Sequence, residues 1–167
     1  MSHFSIISHS AVETRSLAAD IAKHLQAGDI VGLSGSLGAG KTEFVRGVCE
    51  AYGVADQVSS PSYVLQAIYD LDRSKAPFQI QHWDLYRLSN KFSAEIYEEI
   101  QTAEQDLVFI EWAERQPEVE DLLGVKILLD FPPQEMRESE QSRVISVQVQ
   151  AGHGLEAVLE RMGNNFE

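Results

Sequence analysis

Lys41 and Thr42 close the run Gly35-Ser36-Leu37-Gly38-Ala39-Gly40-Lys41-Thr42, which fits the pattern G-x-x-x-x-G-K-[ST] without a gap. Each fixed residue type answers a chemical need. Glycines let successive backbone N–H groups turn inward around an anion, where a Cβ would stand in the way. The lysine reaches β- and γ-phosphates, and the threonine hydroxyl is a ligand for magnesium. A helix beginning at this point aims its positive end at the same anion. The expected nucleotide-contacting set is Gly35, Leu37, Gly38, Ala39, Gly40, Lys41 and Thr42, with the adjoining Glu43.

A phosphate cradle needs a second anchor for its metal, usually a carboxylate that ends a neighbouring buried strand. Glu111 directly follows the apolar run "DLVFI", and Asp84 sits in "HWDLYR" behind an alternating stretch. Carboxylate oxygens suit a hard cation such as Mg²⁺. The catalytic expectation therefore falls on Lys41, Asp84 and Glu111, and the metal on Thr42, Glu111 and Asp84. Which acid binds the ion directly stays open. His82 has no companion His or Cys cluster, so it is expected to pack or hydrogen-bond rather than ligate a metal. Cys49 shares a helical stripe with Phe44, Val45, Val48 and Tyr52 and reads as core.

The elements that must hold these residues follow from period and punctuation. "SAVETRSLAADIAKHLQAGD" is an amphipathic helix with a Ser10/Glu13 capping pattern. "DIVGLSG" is a short buried strand entering the glycine loop, and "KTEFVRGVCEAYG" is the helix leaving it, closed by Gly53. "VSSPSYVLQAIYDL" and "FQIQHWDLYRL" flank "DRSKAP" as an antiparallel hairpin. An acidic helix "SAEIYEEIQTAEQ", the strand "DLVFIEW", two strands "GVKILLDF" and "SRVISVQVQ", and a closing helix "GLEAVLERMG" complete the chain. The expectation is one α/β domain over residues 1–167, a P-loop NTPase-like unit with a mixed, mainly parallel sheet flanked by helices.

The chain of 167 residues suffices for one domain with a real core, and its 44% hydrophobic content is that of a soluble globular protein. No apolar run approaches the roughly 20 residues of a membrane helix, and no export signal is visible at the start. A single cysteine makes no internal disulfide, so a reducing cytoplasm is the expected setting. The net charge is −13, and residues 94–121 hold ten carboxylates against Arg115 alone. Strong direct nucleic-acid binding needs the opposite sign. That acidic stretch is a solvated face or a docking face for a basic partner.

With these residues assembled, the chain resembles the TsaE family of bacterial ATPases, which take part in making the threonylcarbamoyladenosine modification of tRNA. The likeness rests on "GSLGAGKT", "SSPSY", "HWDLYRL" and "FIEWAE", in that order, over about residues 10 to 120. It implies a compact P-loop α/β fold in which Gly38 to Thr42 bind ATP phosphates and Thr42 and Glu111 serve Mg²⁺. Asp84 would assist the metal or orient the attacking water, and Trp112 would position the site or meet a partner. Ser62, in "SSPSY", would belong to a switch-like loop near the γ-phosphate. The proteins it resembles bind the TsaB–TsaD threonylcarbamoyl-transferase subunits. Two positions depart from the family's habit: Ser62 stands where threonine is usual, and Ser36 where aspartate is frequent.

Other nucleotide chemistries fit less well. Arg115, Arg137, Arg143 and Arg161 form no cluster in the sequence, so the arginine-bearing lid of a small-molecule kinase has no visible source. Asp121-Leu122-Leu123-Gly124 fits a switch-type D-x-x-G, but it precedes a strand instead of ending one. Asn90-Lys91 is followed by Phe92 and Ser93, so no guanine-reading N-K-x-D exists. Arg87 is the nearest internal arginine-finger candidate, and it is expected to pair with a local carboxylate. A nucleotide-dependent binding switch without hydrolysis remains an alternative.

Overall fold

A computed structural model describes residues 2–59, 65–72, 74, 76–88 and 94–163. Seven strands form one sheet: β1 (Ser2–Ser8), β2 (Ile30–Ser34), β3 (Gln66–Asp70), β4 (Gln79–Asp84), β5 (Leu107–Glu111), β6 (Val125–Asp130) and β7 (Arg143–Val149). Their spatial order is β1-β7-β6-β2-β5-β4-β3. The central block β6-β2-β5-β4 is parallel throughout, while β3, β7 and β1 join it through antiparallel pairs. The sheet is thus mixed with a parallel centre, and the α/β class holds. The β3–β4 hairpin closes in the expected sense, pairing Gln66 with Trp83 and Asp70 with Gln79.

Among the described residues five α-helices accompany the sheet: α1 (Ala11–Ala22), α2 (Lys41–Ala51), α3 (Ala94–Gln101), the short α4 (Pro117–Glu120) and α5 (Glu156–Gly163). α1 starts where its cap dictates, with Ser10 Oγ accepting the Glu13 N–H at 3.1 Å. The Glu13 carboxylate reaches back to the His9 N–H at 2.8 Å, one residue before the usual capping-box partner. α2 lies against α1, and Arg15 crosses between them to Glu43 (2.7 Å) and Glu50 (3.0 Å).

Strand alternation then sorts the core into two layers. Leu107 and Phe109 of β5 join the cluster that includes Phe44, Val45, Val48 and Cys49 of α2. Val108 and Ile110 face the opposite layer, with Trp83, Leu85, Ile100, Val119 and Leu123. Every residue of β5 is buried, as a central parallel strand requires. Cys49 lies in the core as expected, and burial pushes its thiol up to about 12.

β1 and α4 had no counterpart in the sequence reading. β1 is an edge strand: His3 and Ser5 face outward, Phe4 and Ser8 are buried, and its strand partner is β7, some 140 residues away in the chain. α4 is four residues long, opened by Pro117 at its first turn.

Candidate active site

β2 carries the chain from the buried core to the loop, and α2 leads it away, so the glycine loop stands at the C-terminal edge of the parallel block. Gly40 caps α2 with φ 103°, a left-handed conformation that favours glycine. Gly35 passes so close to the Leu129 carbonyl oxygen that any Cβ there would collide with it. Within the loop the Ala39 N–H closes a turn on the Ser36 carbonyl at 3.1 Å. The N–H groups of Gly38 and Gly40 have no hydrogen-bond partner among the described residues. Unsatisfied donors ahead of a helix N-terminus are what an anion site presents.

Lys41 is almost fully buried, and its ammonium is held by the loop and an aromatic ring. Nζ donates to the carbonyls of Gly35 (2.8 Å) and Ser36 (3.0 Å) and sits 3.8 Å from the centroid of the Trp112 ring. Burial holds the ammonium below the usual lysine range, opposed chiefly by the charge of Glu111. Trp112 itself is in the left-handed region at φ 61°, a conformation worth about 1–2 kcal/mol of strain for a side-chain-bearing residue. It is half-buried beside the loop, unlike Trp83, which is a core tryptophan. Tyr86 tilts onto Trp112 at 4.9 Å, and the Arg115 guanidinium lies over both rings.

The two carboxylates arrive by the same alternation that sorts the core. Glu111 follows Leu107 and Phe109 in parity, so it emerges on the α2 side of the sheet; Asp84 follows Ile80 and His82 likewise. In the β4–β5 register Asp84 and Glu111 are direct neighbours. Thr42 Oγ1 donates to Glu111 Oε1 at 2.8 Å. Two oxygens adjacent on an octahedron with Mg²⁺ bonds of 2.0–2.1 Å are about 2.9 Å apart, so the pair fits two ligands of one such ion. Among the described residues no cluster of three or more His, Cys, Asp or Glu could hold a metal alone. Mg²⁺ in phosphate sites is held by one or two protein groups and the substrate itself.

Glu111 is anchored from behind. His82 Nε2 lies 2.8 Å from the same Oε1, and since a carboxylate only accepts, the proton sits on Nε2. His82 Nδ1 is 3.2 Å from the Tyr69 hydroxyl. His82 is therefore a hydrogen-bonding side chain, as the absence of a ligand cluster implied; its parity with Asp84 was the signal that it reaches this site.

Leu37, Gly38, Gly40, Lys41, Thr42, Glu43, Glu111 and Trp112 together line a cleft of about 250 Å³. Both Glu43 oxygens are occupied, by Arg15 and Arg46 at 2.7 Å each. Leu37 stands out at the loop tip, 81% exposed. Ser62 lies outside the described residues. The D-x-x-G stretch is at the far end of the sheet: the Gly124 N–H bonds the Ile30 carbonyl, where β2 begins, away from the loop where β2 ends.

A family model described as threonylcarbamoyl adenosine biosynthesis protein TsaE matches residues 8–142. The chain belongs to the TsaE family. Relatives named tRNA threonylcarbamoyladenosine biosynthesis protein TsaE include one from Streptomyces coelicolor, 37% identical over 68% of this chain and 77% of its own. The Mycobacterium tuberculosis relative is 35% identical over 61% of this chain, and the match spans 64% of that relative's length, a little under two thirds. The crystal structure of Bacillus subtilis YdiB superposes with a TM-score of 0.67 over 96% of both chains at 23% identity, a likeness of fold. The TsaE match takes in the glycine loop, Asp84 and Glu111, and it stops one residue short of Arg143. No helix among the described residues is long and apolar enough to cross a membrane.

Proposed function

We propose that residues 1–167 form a single P-loop domain working as a Mg²⁺-dependent ATPase in formation of the threonylcarbamoyladenosine modification of tRNA, in the cytoplasm. It turns over slowly alone and faster with partner subunits of the TsaB–TsaD type. The observation that carries the reading is the Thr42–Glu111 pair set beside the Lys41 ammonium at the mouth of the loop. The family membership supports the pathway.

The residues divide the work. The loop from Gly38 to Thr42, with the Glu43 amide, receives phosphate oxygens while the Ala39 N–H keeps its turn on Ser36; Leu37 frames the entrance, and Gly35 seats the loop against the Leu129 carbonyl. Lys41 exchanges its two loop carbonyls for phosphate oxygens, a charge-assisted replacement for neutral bonds. Thr42 and Glu111 hold the metal; when bound, Mg²⁺ would neutralise charge developing on the phosphate oxygens. His82 fixes the Glu111 carboxylate. Asp84 orients the attacking water or the outer shell of the ion, and Ser62 senses the terminal phosphate.

Phosphate release and ADP binding measured on the parental protein and Lys41→Ala test this. Hydrolysis is expected to fall by about two orders of magnitude or more, with some ADP affinity kept by the amides. Parental turnover in Lys41→Ala would overturn the phosphate-site assignment.

A further inference from the structure

Against the loop, and outside the set of residues that line the cleft, stands a cation that the sequence motif does not include. Arg143 opens β7, and its guanidinium spends four donors on main-chain carbonyls. Nε donates to Ala39 (3.1 Å) and Nη2 to Gly38 (3.1 Å), both in the glycine loop. Nη1 donates to Glu140 (2.9 Å) and Ser142 (2.8 Å) in the segment before β7. The flat face rests on Phe131 with Cζ 4.2 Å from the ring centroid. Arg137 shares that ring at 5.5 Å but donates to the Pro132 carbonyl, not to the loop. Two arginines with no cluster in the sequence are thus gathered around one phenylalanine.

The geometry of a trans peptide makes this contact consequential. Carbonyl and N–H point in opposite directions across a planar peptide unit. Holding the Ala39 carbonyl on Arg143 turns the N–H of the same unit, that of Gly40, away from the guanidinium, and Gly40 lines the cleft. Holding the Gly38 carbonyl steadies the unit whose N–H closes the turn on Ser36. A positive charge on the carbonyl oxygen also polarises the peptide and strengthens its N–H as a donor. Glycine's freedom at positions 38 and 40 would otherwise let these units rotate away. None of the Arg143 bonds goes to a carboxylate, so the charge reaches the loop without a contacting counterion among the described residues.

We propose that Arg143 is a positioning residue for phosphate binding: it clamps the Gly38 and Ala39 carbonyls from outside so that the loop amides stay aimed at the nucleotide's phosphates. The inference rests on the nucleotide reading of the loop. A clamp acts on bound nucleotide in ground and transition state alike, so its loss raises KM with little change in kcat.

The test measures ADP affinity by calorimetry, ATP KM and kcat, and the melting temperature of the nucleotide-free protein. It compares the parental chain with Arg143→Gln, Arg143→Lys and Arg137→Gln. Removing two charged donors from the loop is expected to weaken ADP binding and raise KM about tenfold in Arg143→Gln. Under the clamp kcat stays within about twofold. Arg143→Lys, which keeps the charge without the fork, should recover part of the loss. Arg137→Gln should bind ADP like the parent. If Arg143→Gln does not fold, Arg143→Lys is read against Arg137→Gln in its place. Unchanged ADP affinity in a folded Arg143 variant, or an equal loss in Arg137→Gln, would overturn the clamp. A parental protein that binds no ADP would instead overturn the nucleotide reading itself, and the clamp with it.

Discussion

Glu111 Oε1 accepts from Thr42 on one side and His82 on the other, so one carboxylate oxygen joins the loop helix to the interior of the sheet. A carboxylate so held would meet an ion with its orientation already set. Asp84 is its neighbour in register, but its Oδ1 accepts the Tyr86 N–H at 2.9 Å, which ties it to the following turn. The two acids should therefore separate experimentally. Glu111→Gln is expected to raise the Mg²⁺ concentration for half-maximal ATP hydrolysis about tenfold. Asp84→Asn should lower turnover while leaving that concentration near the parental one. Superimposable magnesium titrations for Glu111→Gln and the parent would remove Glu111 from the metal site. Cys49 offers a second test at this scale. With its thiol pushed up to about 12 by burial, it stays protonated and sheltered at pH 8. An aromatic disulfide reagent should find no thiol in the native protein and one in denaturant; rapid native labelling would contradict the packing of α2.

At the scale of elements, the site depends on how closely α2 can lie on α1. Gly47 faces the α1 backbone at Arg15, and a Cβ there would run into the Arg15 carbonyl oxygen and Cα. Helix propensity favours alanine over glycine by up to about 1 kcal/mol, whereas forcing two packed backbones apart costs about 1–3 kcal/mol. Packing should win. Gly47→Ala is expected to melt a few degrees lower, by up to roughly 8 °C for a chain of this size; an unchanged or raised melting temperature would mean that the helices adjust freely. The Arg15 links to Glu43 and Glu50 are partly exposed and contribute little by comparison. Alternation in β4 and β5 delivers Asp84 and Glu111 to the α2 face, and this much could be read from the chain, because a two-residue period is a local property. β1 could not: "SHFSIIS" has a strand only because β7 supplies the partner.

For the molecule as a whole, the net charge of −13 bears on association. Glu95, Glu98, Glu99, Glu114, Glu118, Glu120 and Asp121 all lie exposed along α3, α4 and the turns beside them. Phosphoryl transfer gains on the order of 10³–10⁵ from an arginine placed at the terminal phosphate, by the same chain or by a partner. Arg143 is committed to the loop carbonyls and Arg115 to the Tyr86 and Trp112 rings. The chain alone is expected to turn over well below roughly 1 s⁻¹, and threonylcarbamoyl-transferase subunits should accelerate it. That stimulation should shrink between about 0.1 M and about 1 M salt, as the screening length falls from ~10 to ~3 Å. Phosphate release with and without the subunits at both salts is the measurement; fast turnover alone would overturn the idea of a partner-gated enzyme. By itself the sequence determined the glycine loop, its lysine and threonine, the two strand-end acids and the α/β class. Those follow from spacing and period along a short stretch of chain. Tertiary structure alone decided that His82 secures Glu111, that Lys41 rests on Trp112, and that Arg143 reaches a loop 105 residues earlier. Such contacts exist only once the sheet has been ordered, and strand order is set by burial and pairing across the whole chain rather than by any local pattern.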